Sequence, residues 1–304
     1  MQIGVAIVAY RAGDELVSCL EALASAGEHL RDADLRVVVL DNCSGDGTAA
    51  RASAHAPWAS VVEASRNDGF AAGANAALAR LPEADVVVLL NPDVRVREDF
   101  LATLAELRWP PDLAARGPQV LGADGSVEQS ARGFPGARTA MLGRSSWLAR
   151  RRPESALLRR ELRADPSAGA HDVDWVSGAC LIVPAEMLRR VGPLDEGYFM
   201  YWEDADWCRR AHTLGLRIRY EPSLVVAHAQ GASSRERPLA TTIAFHRSAL
   251  RYWRLHAARS RASVALAGAA LTARCALKLL VLGLRRRPRP SRRARAAGGR
   301  AGRA

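Results

Sequence analysis

The 304-residue chain lacks the short devices that mark several large functional classes. Its five cysteines, Cys19, Cys43, Cys180, Cys208 and Cys275, are scattered, odd in number and without a C-x-x-C pair. Neither a disulfide framework nor a zinc ribbon is indicated, and a reducing cytosol suits them. There is no G-x-G-x-x-G and no P-loop, so dinucleotide binding and ATP hydrolysis lack their fingerprints. No internal repeat is present. No basic leader precedes the first apolar run in "MQIGVAIVAYRAGDEL", which is short and β-branched, so a first strand is expected there and not a signal peptide.

Acid is missing from the last twenty residues. From Arg285 to Ala304 there are nine arginines and no carboxylate, and subtracting them from the net charge of +11 leaves the body at +2. The basicity is a tail, and a body so nearly neutral offers nucleic acid little footprint of its own. Just before the tail, "SVALAGAALTARCALKLLVLGL" (263–284) is apolar and approaches the length of a membrane span, interrupted by Arg274 and Lys278. Four apart on a helix, those two share a face. The expectation is a helix lying in the membrane interface with its cations toward headgroups, followed by polybasic residues worth roughly 1 kcal/mol each near anionic lipid. The alternative is a packing helix followed by a disordered tail.

What remains is about half apolar, enough for a substantial core. The first half alternates: "IGVAIVAY", "LRVVVLDN", "ASVVEAS" and "ADVVVLLNPD" read as strands, while "DELVSCLEALASA", "NDGFAAGANAALARL" and "REDFLATLAELR" have helical periodicity. Such alternation predicts an α/β fold with a mostly parallel sheet covered on both faces. Ligands of such sheets sit beyond the strands' carboxyl ends. Polar residues gather there: Tyr10 and Arg11, Asp41 and Asn42, Arg66 and Asn67, Asn91 and Asp93. A hairpin is expected at "QVLGADGSVEQ", turning on Asp124 and Gly125. Residues 131–172 read as a mobile loop region, and "VDWVSGACLIVPAEMLRRVG" as a strand leading into a helix.

Five stretches carry chemical content. In "LNPDV", Asp93 just past a strand end could ligate Mg²⁺ or Mn²⁺ bridging nucleotide phosphates, or could cap a helix beginning near Glu98. In "LDNCSGDGT", Asp41 could accept hydrogen bonds from a base or ribose. In "RNDGFAAGAN", Gly69, Ala72 and Gly73 suit phosphate approach to a helix N-terminus and suit close helix packing equally well. In "YFMYWEDADWCRRA", a helix starting near Glu203 turns by about 100° per residue, so Glu203, Asp204 and Asp206 cannot all face one site. Acids in a first turn also serve the helix dipole, and the preceding aromatics are either a wall for a sugar ring or plain core. His228, ending another apolar strand, could complete a metal site, with 230–238 as a lid carrying Arg235 and Arg237.

With these elements in this order, the chain resembles the inverting family 2 glycosyltransferases of GT-A fold. Within them it is most similar to bacterial rhamnosyltransferases that extend lipid-linked or polysaccharide acceptors. The resemblance covers Met1 to Arg254 and rests on "VAYR", "DNCSGDG", "NDGFAAGAN", "LNPDV", "VSGAC", "LDEGYFMYWEDADWCRRA" and a late H-x-x-G-x-S. It implies a nucleotide-sugar site of Ala9, Tyr10, Arg11, Asp41, Arg66, Asn67, Gly73, Asn75 and Asn91. It implies a metal site of Asp93 and His228, with Asn91 in the first position of a D-x-D-like motif, and Mg²⁺ or Mn²⁺ as the ion. Asp204 matches the general base, with Trp202 and Glu203 at the acceptor.

The resemblance implies dTDP-L-rhamnose as donor, with a UDP-hexose or galactofuranose donor as the alternative, and a polyprenyl-diphosphate-linked glycan as acceptor. The expected organisation is a transferase domain over 1–254, divided into a donor half (1–110) and an acceptor half (111–254), then a helical segment (255–284) and a disordered tail (285–304). A cytoplasmic enzyme, peripheral at the inner membrane face and not a nucleic-acid binder, is the corresponding expectation. A sugar-1-phosphate nucleotidyltransferase would share the sheet, but "VAYRAGDE" lacks its Gly-rich basic loop. Direct displacement by an acceptor hydroxyl needs one base and one cation on the leaving diphosphate, whereas glycoside hydrolysis needs two carboxyl groups.

Overall fold

The structure is a computed structural model and describes residues 1–134, 164–228 and 238–286. The expected mobile loop lies mostly outside the described residues, as do the lid at 230–237 and most of the arginine tail. The first half runs β1 (Gln2–Ala9), α1 (Gly13–Glu28), β2 (Asp34–Asp41), α2 (Thr48–His55), β3 (Ser60–Glu63), α3 (Phe70–Leu78), β4 (Val86–Leu90), β5 (Val94–Val96) and α4 (Phe100–Glu106). Then follow β6 (Leu113–Leu121), β7 (Ala131–Arg132), β8 (His171–Val173), β9 (Trp175–Val176), β10 (Cys180–Pro184), α5 (Ala185–Val191), α6 (Glu203–Thr213) and β11 (Arg217–His228). The chain closes with α7 (Pro238–Tyr252), a π-turn (Trp253–Ala257) and α8 (Arg261–Arg286).

One nine-stranded sheet has the order β3-β2-β1-β4-β10-β6-β11-β5, with β8 also paired to β11. β3, β2, β1 and β4 are mutually parallel, as are β6 and β11, while β10, β5 and β8 run antiparallel to their neighbours. The parallel strands are unbroken apolar runs because both faces are covered. Leu16, Leu20 and Leu23 of α1 and Phe100, Leu101 and Leu104 of α4 cover one face. Ala71, Ala74 and Ala77 of α3, with Met187 and Trp207, cover the other. Small residues on α3 bring its backbone close to the sheet: a Cβ on Gly73 would stand 2.9 Å from Val8 Cγ1 and 3.1 Å from Leu40 Cδ2.

This topology brings the chemistry to one edge. β1, β2, β4 and β11 end there, and the antiparallel β10 and β5 begin there, so Asn91, Asp93, Ala179 and His228 come together although spread over the chain. The hairpin after β6 forms as expected, with Gly125 N–H donating to the Gly122 carbonyl and Gly122 N–H to that of Ser126. Gly125 has a φ of +76°, a left-handed position that favours glycine.

The C-terminal helices differ from the expectation in which way they face. Trp253 Nε1 donates to Ser263 Oγ at 3.2 Å, Gly268 lies against Leu250, and the Lys278 ammonium sits 5.9 Å from the Phe245 ring centroid. α8 therefore runs antiparallel along α7. Arg274, half-buried, and Lys278, exposed along its flank, lie on the α7 side: burial lowers the basicity of His246 on α7, and the nearby charges of Lys278 and Arg274 push it the same way. The cations were expected to point to headgroups; instead they border α7, with Lys278 in cation–π contact with Phe245.

Candidate active site

Asp41 ends β2 beside Ala9 of β1 and is almost fully buried. It accepts a short hydrogen bond from Ser44 Oγ, which in turn accepts from Arg11 N–H at 2.8 Å. The turn "CSGDG" is thereby tied to the loop after β1. Arg11 has a φ of +53° and its guanidinium lies 5.7 Å from the Tyr10 ring. Asn42 Nδ2 donates to Asn67 Oδ1 and to the Gly69 carbonyl, and Asn67 Oδ1 also accepts from Gly69 N–H. Asn67 thus builds the turn that enters α3. Arg66 is exposed and paired with Asp68.

Two residues of the expected donor site have structural duties that account for them. Gly73 is needed by the packing of α3 on β1 and β2, and Asn75 clamps the far half of the chain. Asn75 Nδ2 donates to the Leu194 carbonyl and to Glu196, while its Oδ1 accepts from Leu194 N–H.

Asn91 N–H donates to the Ala179 carbonyl at 2.9 Å, and its own carbonyl accepts from Val94 N–H. Asp93 follows and caps no helix: β5 intervenes, α4 starts at Phe100, and Asp99 precedes it. Asp93 Oδ1 lies instead 3.3 Å from His228 Nε2. On the other side of that ring, Nδ1 lies 3.2 Å from Glu128 Oε2. Burial pushes the imidazole toward neutrality, but hydrogen bonds and charges from Asp93 and Glu128 outweigh it and hold it above its usual range. Among the described residues no ready-made cluster of three metal-ligating side chains occurs. The Asp93–His228 pair nevertheless fits one edge of an ion's shell, since adjacent ligands of an octahedral ion with bonds of ~2.1 Å stand about 3 Å apart.

Asp204 lies in the first turn of α6. Its Oδ2 accepts from Gly178 N–H at 2.8 Å and its Oδ1 from Ala205 N–H. Burial raises its proton affinity, opposed by those two hydrogen bonds and by the charge of Arg132. Glu203 is buried with Oε2 unpartnered. Burial, and then the neighbouring Asp204, push its carboxyl well above the usual carboxylate range, so the pair shares its charge.

The acidic helix thus has three different carboxylates. Asp206 points away from Asp204 into a buried hub, accepting from Tyr198 Oη, Arg210 Nε and, at 2.7 Å, His256 Nε2 of the π-turn. Burial would raise it, but His256 and Arg210 more than compensate and hold it low. Asp206 and Arg210 do more than serve the helix dipole: they fasten α6 to the C-terminal helices and to the carbonyls of Val191 and Pro193.

The aromatics before α6 divide. Tyr198 is fully buried core, while Phe199 is exposed. Trp202 packs on Phe245 and Tyr252, and Tyr201 on Phe245. Both Tyr201 (φ +68°) and Trp202 (φ +76°) are left-handed, a conformation that costs bulky residues of order 1–3 kcal/mol each and clusters at functional sites.

Sequence reasoning missed Glu128, Arg132 and Ser44. Glu128 sits on the hairpin after β6, and nothing local marks a residue whose partner is a hundred positions away. Arg132 lies among several arginines. Ser44, three residues after Asp41, was within reach as a polar partner in the same turn.

The model of the family described as Glycosyl transferase family 2 matches residues 4–114. The chain is 34% identical over 260 residues to the N-acetylglucosaminyl-diphospho-decaprenol L-rhamnosyltransferase of Mycobacterium tuberculosis, covering 80% of this chain and 81% of that one. It is 41% identical over 56 residues to rhamnosyltransferase WbbL of Escherichia coli, 18% of this chain and 21% of that one. Among solved structures, the mannosyltransferase PcManGT of Pyrobaculum calidifontis, in complex with GDP-Man and Mn²⁺, superposes with a TM-score of 0.58 at 17% identity, covering 93% and 79% of the two chains. TarS of S. aureus (1–349) gives 0.52 at 17%, covering 90% and 71%; at such identities these two speak to the fold alone. The family match over residues 4–114 and the relative in Mycobacterium agree, and the chain belongs to glycosyl transferase family 2, an enzyme family that here carries the GT-A fold.

Proposed function

We propose that this glycosyltransferase moves L-rhamnose from dTDP-L-rhamnose, with inversion, to a hydroxyl of a polyprenyl-diphosphate-linked glycan in envelope biosynthesis. The relative in Mycobacterium supports the sugar and acceptor by its name. The observation that carries the reaction type is a four-residue link. Asn91 N–H binds the Ala179 carbonyl and Gly178 N–H binds Asp204, so the Asp93 loop and the Asp204 carboxylate hang on adjacent residues.

In this reading residues 1–110 hold the donor and 111–254 the acceptor. Asp41, Tyr10, Arg11 and the loops around them receive the nucleoside, beyond the carboxyl ends of β1 and β2. Asp93 and His228 would hold a divalent ion, which when bound would supply positive charge to the departing diphosphate. One imidazole nitrogen in the donor set favours Mn²⁺ over the harder Mg²⁺. Asp204 takes the proton from the acceptor hydroxyl as its oxygen attacks the anomeric carbon, and the bond to the diphosphate breaks from the opposite side. Two N–H donors fix the Asp204 carboxylate in place, and its raised proton affinity makes it a better base than an exposed aspartate. Glu203, pushed toward its protonated form by burial and then by Asp204, is placed to donate to an acceptor oxygen, and Trp202 flanks it. The enzyme is cytoplasmic and peripheral at the inner membrane face.

The test is a panel of nucleotide sugars with the purified protein and Mn²⁺, reading released nucleoside diphosphate. Preferential hydrolysis of dTDP-L-rhamnose is expected. Preference for a UDP-hexose or UDP-galactofuranose would replace the donor, and no turnover of any nucleotide sugar would sink the reading.

A further inference from the structure

Among the described residues, the outward face of α8 gathers five of the exposed large apolar side chains on one helix. Arg261–Leu284 is 24 residues long, with mean hydropathy 1.7 and none of its most apolar window buried. Leu266, Leu277, Leu280, Val281 and Leu284 are 40–73% exposed. Its two internal cations, Arg274 and Lys278, are turned toward Phe245 and His246 on α7. A surface helix of a soluble protein places charge outward and leucine inward. Here that arrangement is inverted, while exposed Arg259 and Arg261 stand at one end and Arg285 and Arg286 follow in sequence at the other.

We infer that α8 docks flat on the bilayer, inserting its leucine-rich outer face among the acyl chains while Lys278 stays at its flank against α7, and does not cross. Two observations choose the bilayer over a protein partner. The outer face holds alanine, leucine, valine and threonine, without the aromatic, methionine and arginine residues that enrich the cores of protein interfaces. The arginines bracket it at both ends, where a helix lying in the interface meets phosphate headgroups.

A third observation decides against crossing. The contacts of α8 with α7 and the π-turn extend from Ser263 to Lys278, roughly 24 Å of helix at 1.5 Å per residue. α7 in turn is tied to the catalytic body: Ser248 Oγ donates to the Met200 carbonyl, Arg251 makes a two-nitrogen contact with Asp195, and His256 holds Asp206. A spanning α8 would have to leave α7 and carry both cations into hydrocarbon. Lying flat, it keeps them against the protein.

Docking in this way puts the α7 side of the molecule, with Phe245, Tyr252 and Trp202 beneath it, next to the lipid surface. The inference deepens the reading of a membrane-borne acceptor and fails separately from it, because vesicle binding is measured without donor and donor turnover without vesicles.

The experiment is co-sedimentation of the full chain with phosphatidylcholine–phosphatidylglycerol vesicles, at low salt and at ~1 M salt, where the Debye length shrinks to about 3 Å. Binding that persists at high salt is expected; complete loss would assign attachment to the arginines alone and overturn the inference. The triple variant Leu266→Glu, Leu277→Glu, Leu280→Glu should bind vesicles at least ~100-fold more weakly, since each change removes an apolar insertion and adds a charge. Circular dichroism and Mn²⁺–dTDP binding should be unchanged. A variant that became monomeric from a dimer while still binding vesicles would make this face a contact between copies. Alkaline carbonate should strip the native protein from cell membranes; resistance to it would show a spanning helix and overturn the flat mode.

Discussion

Asp93 and His228 meet across the sheet edge, carboxylate oxygen 3.3 Å from imidazole Nε2, although 135 positions separate them in the chain. β5 and β11 are paired antiparallel with His228 opposite Val94, and that register makes the meeting unavoidable. Asp93→Ala and His228→Ala should each weaken Mn²⁺ binding more than ~100-fold. Glu128→Gln, acting through the other ring nitrogen, should weaken it by about tenfold, in the range of residues that orient a ligating histidine. Electron paramagnetic resonance of free Mn²⁺ in the presence of dTDP measures all three. Undiminished binding by Asp93→Ala would remove the metal assignment.

Asp204→Asn preserves shape and removes the base. Turnover should fall by at least ~10²-fold while the affinity for dTDP stays within a factor of two, as expected for a group that acts in the transition state. Stopped-flow or discontinuous assays give kcat, and calorimetry gives the nucleotide affinity. A variant retaining most of its kcat would reassign the base.

The same residue sets a pH dependence. The proton affinity of Asp204 is raised by burial, so its active, deprotonated form is lost as pH falls through a value above that of an ordinary aspartate. The acid limb of kcat against pH should therefore lie above pH ~4, and Glu203→Gln, which removes the neighbouring carboxyl, should move that limb downward. A limb unmoved by Glu203→Gln would mean the two carboxyls are independent.

Glu203 also bears on stability. Its folded-state proton affinity exceeds that of the unfolded chain, so stability is lost as pH rises through the raised folded value. Glu203→Gln should then raise Tm by a few degrees at neutral pH, with the gain shrinking as pH is lowered toward the range where the glutamate of the unfolded chain takes up its proton. Asp206 has the opposite sign: held low by His256 and Arg210, it contributes stability that is present above pH ~4 and lost as pH falls through its depressed folded value. Asp206→Ala should cost about 3 kcal/mol, since it leaves Arg210 and His256 without their buried partner. Denaturant titration at several pH values measures both.

Gly69 joins the two halves through its missing side chain. Its φ is +93°, and a Cβ there would fall 2.4 Å from the Phe199 carbonyl oxygen, next to the Phe70 N–H to Phe199 carbonyl bond of 2.7 Å. Gly69→Ala is expected to destabilise by more than ~2 kcal/mol and to lower donor turnover, because backbone cannot yield as a side chain can. Thermal melting and the donor-hydrolysis assay together check it.

The strand and helix order, the sheet edge and the acidic pair were legible because they depend on local period and on residues lying next to one another. "ADVVVLLNPD" is a buried strand ending in polar residues whatever surrounds it. Glu128 was not legible, since its role exists only once β6, β11 and β5 are in register. The duties of Gly73 and Asn75 were hidden for a related reason: a small residue and an amide look alike whether they serve a ligand or a neighbouring segment. Arg274 and Lys278 were correctly placed on one face of a helix, but spacing cannot say which way that face turns, and α7 decided it.

Gly178 and Ala179 are neighbours in the chain: the first donates its N–H to Asp204, and the second accepts at its carbonyl from Asn91 N–H. In the proposed reaction the base and the diphosphate-side loop are therefore hung from one short span of backbone. A backbone change at either residue would disturb both attachments together, so the two cannot be tuned independently from this strand.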